Sequence, residues 1–81
     1  AASPPSRARR LGYLEQREMD GMEQAIQQAE TALAACRLAA EDPGIASDAH
    51  ELQSRYAAVE AARAEVDRLY ARWVELDAKR A

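Results

Sequence analysis

Apolar residues recur along this chain in alternating steps of three and four. In the first half the series is Met19, Met22, Ile26, Ala29, Leu33, Cys36 and Ala40. In the second half it is Leu52, Val59, Ala62, Val66, Leu69, Trp73 and Leu76, with Arg55 standing where an apolar residue would complete the pattern. This spacing is the heptad seam of a helix that packs along one narrow stripe. Met19, Ile26, Leu33 and Ala40 take position a of the first helix, and Met22, Ala29 and Cys36 take position d. In the second, Leu52, Val59, Val66 and Trp73 take a, and Arg55, Ala62, Leu69 and Leu76 take d. Tyr56 and Tyr70 flank that seam at e. Arg55 is expected to lay its stem along the seam and keep its guanidinium in water. Gly21, off the seam, should weaken the first helix by roughly 1 kcal/mol relative to alanine.

Between the two runs lies Glu41-Asp-Pro-Gly-Ile-Ala-Ser-Asp48. Pro43 lacks an amide hydrogen and disfavours the α conformation at Asp42, so the first helix should stop there. Gly44 is expected to take the left-handed conformation that closes a helix C-terminus. Asp48 can cap the second helix, with Glu51 three residues on. At the other end Gly12 is expected to cap the first helix, with Glu15 at its third position. The predicted fold is all-α, a two-helix antiparallel coiled-coil hairpin. It comprises a helix at about 13–41, a turn at about 42–47 and a helix at about 48–79, preceded by a basic Pro/Ser-containing linker at residues 1–11. In an antiparallel pair facing core numbers add to a constant. The value 88 sets Cys36 against Leu52, Leu33 against Arg55, Ala29 against Val59, Ile26 against Ala62, Met22 against Val66 and Met19 against Leu69. Values of 81 and 95 satisfy the periodicity equally, but 88 centres the turn on Gly44 and is the register expected. It brings Tyr13, Tyr70 and Trp73 together at the open end of an arm about 40 Å long.

Composition suits such an arm better than a globule. Of the 81 residues 48% are hydrophobic, but alanine supplies much of that, phenylalanine is absent and aromatics are only 5%, so a globular core would be thin. The net charge of −3 gives no general argument for nucleic acid; its distribution is more informative, with a local positive end that fits a solvated linker as well as a binding site. Residues 1–17 carry Arg7, Arg9, Arg10 and Arg17 against Glu15, a local charge of +3. Residues 18–47 carry six acids against Arg37, a local charge of −5. A single cysteine, Cys36, excludes an internal disulfide and fits a reducing compartment. No apolar run approaches the length of a membrane span, and the N-terminus lacks the apolar block of a signal peptide. A soluble, cytoplasmic chain without a membrane partner is expected.

Candidate chemistry is sparse. There is no phosphate-binding glycine loop and no Cys/His cluster with metal spacing, so neither cofactor nor metal is expected in this chain. His50 has no partner of catalytic spacing, and Cys36 on the seam reads as a small buried hydrophobe. The acid pairs Glu15/Glu18 and Glu65/Asp67 fall on exposed faces with no pocket to raise a pKa. Catalysis by this chain is not expected.

Several stretches together resemble one family. Leu11-Gly-Tyr-Leu-Glu-Gln-Arg-Glu-Met19 resembles the opening of the C-terminal domain of ABC-F ATPases, particularly the Uup type, where Leu-Ser-Tyr-Lys-Glu-Gln-Arg-Glu-Leu is usual. Asp42-Pro43 resembles that family's turn, and Tyr70-Ala-Arg-Trp-Val-Glu-Leu76 its Tyr-x-Arg-Trp-Glu-Glu-Leu close. The similarity covers about residues 10–77. Gly12 stands where serine is usual, Leu14 where a basic residue is, and Glu23 where proline is common. The resemblance implies a parent with two ATP-binding cassettes, where ATP and Mg would sit, and no membrane spans. Members act on ribosomes or in DNA-related processes, and the C-terminal domain of the Uup type is implicated in binding DNA.

Two functions are then in view. In the first, Arg7, Arg9, Arg10 and Arg17 contact phosphates without reading sequence, and Tyr13 is a candidate for stacking on a base, with DNA ahead of RNA as partner. The competing assignment for Tyr13, Tyr70 and Trp73, and the preferred one, is a plug at the open end of the hairpin. In the second, a monomeric arm docks on the parent cassettes or the ribosome without touching nucleic acid, its acidic first helix meeting a basic partner. Self-association through the alanine-rich outer sides is a third arrangement, tested by sedimentation at two concentrations.

Overall fold

The computed structural model describes residues 11–80. Helix α1 runs Tyr13–Ala40 and helix α2 runs Ala49–Arg80, joined by a short 3-10 turn at Pro43–Ile45. The two helices pack against each other along their length, so the fold is an all-α helical hairpin with no strand among the described residues. At 1.5 Å per residue the 32 residues of α2 span about 48 Å.

Each boundary has a local cause. Gly12 is extended and donates its N–H to Oε1 of Glu15 at 3.2 Å, so the glutamate at the third helical position satisfies the amide that opens α1. α1 ends at Ala40 because Pro43 holds Asp42 extended, at φ −60° and ψ 117°. Asp48 accepts the N–H of Glu51 at 3.0 Å and starts α2. Gly44 differs from expectation: no glycine among the described residues has a positive φ. Its N–H instead donates to Oδ1 of Asp42 at 2.8 Å, and a Cβ placed there would lie 3.1 Å from that same oxygen. A close carboxylate, rather than a left-handed backbone, is what the turn asks of this position.

The core is the heptad seam. Met22, Leu33, Ala40, Val59, Val66, Leu69 and Leu76 are buried, and Ile45 folds back from the turn to join them. Leu33, Ala40, Val59 and Val66 form the half nearer the turn, with Ala29, Cys36 and Ala62 against them. Met22, Leu69 and Leu76 form the half nearer the base, with Leu11, Met19 and Ile26. Trp73, at an a position, is only partly covered and 37% exposed, the one departure at the base of α2.

The register is one heptad beyond the expected one. Tyr70 donates its hydroxyl to Oε2 of Glu30 at 2.9 Å on one flank of the seam, and Arg72 binds Glu18 on the other. Core layers lying between those flanks pair numbers that add to 95, so Ile26 stands level with Leu69 and Cys36 with Val59. Arg55 accordingly lies beside the end of α1 and not opposite Leu33. Its Nη1 donates to the carbonyl of Ala39 at 2.8 Å and lies 3.5 Å from Oδ2 of Asp42, while Nε donates to Glu51 at 3.0 Å. The guanidinium that the sequence leaves to water closes the turn, sharing the C-terminal carbonyl of Ala39 with the N–H of Asp42.

Candidate nucleic-acid interface

The described part of the hairpin's base begins where α1 does. Tyr13 and Arg17 are four residues apart, which places them on one face one turn from each other. Arg17 donates from Nη1 to the Tyr13 hydroxyl at 3.3 Å, and its Cζ lies 5.9 Å from the centre of the Tyr13 ring. The pair sits on the back of α1, away from the seam, and the Tyr13 ring is 74% exposed. Leu14 beside it is equally open to solvent.

The charge state of this face follows from what Arg17 does not touch. Among the described residues Arg17 and Arg37 are the cations that make no ion pair with another described residue. Arg37 lies twenty positions further along α1, about 30 Å up the arm. The other described cations of the base are committed to carboxylates. Arg72 binds Glu18 through two parallel bonds and reaches Glu75 at 3.0 Å, and Lys79 binds Glu15. The Lys79 ammonium, followed by the Gly12 N–H, holds the Glu15 carboxyl below the usual carboxylate range. The Arg72 guanidinium does the same to Glu18, and Glu18, followed by Glu75, in turn holds the Arg72 proton more firmly than usual. Arg17 with Tyr13 is therefore the part of the base free to meet an anion, by charge-assisted bonds to phosphate and by the open face of the ring.

Of the candidate residues, Tyr13 and Arg17 come together. Arg7, Arg9 and Arg10 lie outside the described residues, as does the rest of the expected linker before Leu11. The aromatic plug does not form. With the register displaced by a heptad, Tyr70 and Trp73 stand beside Glu23, Ile26, Gln27 and Glu30, well up the arm from Tyr13. Those six residues line an open groove of about 550 Å³. Its signal in the sequence is the e positions of both helices, Glu23 and Glu30 on one and Tyr70 on the other, which meet only once the register is known. Cys36 is free and half-buried on the seam. Among the described residues no group of three His, Cys, Asp or Glu side chains is placed to hold a metal ion, and no helix is long and apolar enough to cross a membrane.

No curated protein and no solved structure matches the chain significantly. A family described as the ABC transporter C-terminal domain matches residues 10–78, a span that contains the Gly12 cap, the Asp42-Pro43 turn, both helical seams and the Arg72 bridge at the base. A match over most of the chain, carried by a hairpin with these features, assigns it: the chain belongs to the ABC transporter C-terminal domain family.

Proposed function

We propose that this hairpin is the nucleic-acid-binding arm of a soluble, cytoplasmic ATPase of the ABC-F class, nearest the Uup type, and that it works as a monomer. The catalytic cassettes with their ATP and Mg belong to the remainder of that parent. The observation that carries the reading is the pairing of Arg17 with the open ring of Tyr13, free of any described carboxylate, a few residues after Arg7, Arg9 and Arg10 in the sequence. Phosphate contacts of this kind position a polymer without reading its sequence, so binding is non-specific and falls steeply with salt. DNA is the preferred polymer by resemblance to the family's Uup type, with ribosomal RNA as the competitor.

Fluorescence anisotropy with labelled single-stranded DNA, duplex DNA and RNA at two salt concentrations tests this. The Arg17→Ala variant should weaken binding to every sequence alike and lower the salt dependence by about one phosphate contact, a slope change of about 0.7 on a single strand. The Arg7→Ala/Arg9→Ala/Arg10→Ala triple variant should lose most of the remainder. No binding of any of the three polymers at low salt refutes the reading. The arm then docks on protein alone, on the parent cassettes or the ribosome.

A further inference from the structure

The groove between the helices has a chemistry opposite to that of the base. Its floor is Ile26 and Trp73, its wall is Tyr70, and its rim carries Glu23, Gln27 and Glu30. Neither Glu23 nor Glu30 is paired with a described cation, and no described lysine or arginine lines the groove. Tyr70 donates to one oxygen of Glu30 and leaves the other open, which fixes that carboxylate beside the aromatic wall. Trp73 keeps 37% and Tyr70 43% of their surface in solvent, although both belong to a protein with few aromatics to spare.

Flat aromatic faces next to unpaired carboxylates are the surroundings a guanidinium fits: it stacks on the ring while its in-plane N–H groups bond the acid. Glu23 and Glu30 are two helical turns apart, about 10 Å along α1. In a peptide extended as a polyproline II helix, with three residues per turn, residues i and i+3 share one face and lie about 9 Å apart. A phosphate polymer is repelled by the same two acids. We propose that this groove docks an arginine-bearing extended segment of a protein partner, with two arginines three positions apart, one against each glutamate and one of them over Trp73. This site is independent of the nucleic-acid reading, since it shares no residue with the Tyr13–Arg17 face.

Trp73 is the sole tryptophan, so the full 81-residue chain reports on its own groove. The probe is the blocked hexapeptide Ala-Arg-Ala-Ala-Arg-Ala, titrated at low ionic strength while Trp73 emission is followed. A saturable change is expected, weakened about tenfold in the Glu23→Gln/Glu30→Gln double variant and about threefold when lysine replaces arginine in the peptide. The Glu60→Gln/Asp67→Gln variant, which removes the same charge from α2 outside the groove, should lose less than about twofold. Anisotropy of the labelled peptide extends the comparison to Trp73→Ala, which should weaken binding although its reporter is gone. Circular dichroism confirms that each variant remains helical. Equal losses in the two double variants mean a general charge effect and overturn the site, as does absence of binding. A severalfold gain in affinity on Arg7→Ala/Arg10→Ala overturns the assignment to a separate partner, because it identifies the chain's own arginines as the occupant. DNA affinity unchanged in Glu23→Gln/Glu30→Gln separates this result from that of the basic base.

Discussion

Arg72 grips Glu18 across the helix interface with a fork of two bonds, Nε to Oε2 at 2.7 Å and Nη2 to Oε1 at 2.9 Å. The two residues are fifty-four positions apart in sequence, so the fork ties the beginning of α1 to the end of α2. A planar guanidinium matches a carboxylate in this way and an ammonium does not. Arg72→Ala should lower the thermal midpoint of the hairpin, and Arg72→Lys should restore only part of it. Arg68→Ala, which breaks a pair with Glu65 inside one helix, should cost less. Circular dichroism melts at low and high salt decide the order.

The register has its own chemical test, because Cys36 is the only cysteine. It packs against the cluster that holds Val59. Val59→Cys should therefore form an intramolecular disulfide with Cys36 under mild oxidation, seen as a mobility shift that reductant reverses. Leu52→Cys, opposite Cys36 in the register expected from the turn, should remain a free thiol.

The reason for that mistake is physical. A heptad seam tells each helix which side to bury, and every buried seam residue from Met22 to Leu76 is legible from spacing alone. It does not say how far the helices slide, since registers seven residues apart bury the same sides. Centring the turn on Gly44 broke the tie wrongly, because the turn is lopsided. Ile45 folds back into the core, and residues before Arg55 rise beyond the end of α1. The Tyr13–Arg17 pair was legible, being local to one helix turn. The groove was not, because Glu30 and Tyr70 meet only through the register.

Two substitutions bracket the stability of the seam. Leu76 has no exposure at all, so Leu76→Ala should destabilise the hairpin by about 2–4 kcal/mol. Gly21 lies in mid-helix, and a Cβ there would meet nothing within 4 Å. Gly21→Ala should stabilise by about 1 kcal/mol. Urea unfolding of the two variants gives both values, and a destabilising Gly21→Ala would show that the glycine serves some contact beyond the hairpin.

Acid should loosen the base. Glu15, Glu18 and Glu65 are held below their ordinary value of 4.5 by bonds from Lys79, Arg72 and Arg68. A carboxyl whose folded value is depressed contributes stability that is complete above the unfolded value and vanishes as pH falls through the folded one. The thermal midpoint should be nearly level from about pH 7 to about pH 5.5 and decline below about pH 4.5. The Arg72→Gln/Lys79→Gln variant should start lower and decline less, as measured by melts across that range.

The hairpin is tied at both ends, by Arg55 at the turn and by the Arg72 and Lys79 bridges at the base. The Arg55 guanidinium joins the Ala39 carbonyl of α1, the carboxylate of Asp42 and Glu51 of α2 at a single point. Across the middle of the arm the helices are joined by the Tyr70–Glu30 hydrogen bond and by layers where small alanines face branched residues. Pulled apart by its two chain ends, such an arm unzips from the base toward the turn, each heptad yielding before the next. A push delivered at the turn meets the Arg55 knot first and travels down the two helices together. The arm is thus built to transmit force along its axis, while force that splays its base meets the Arg72 and Lys79 bridges first.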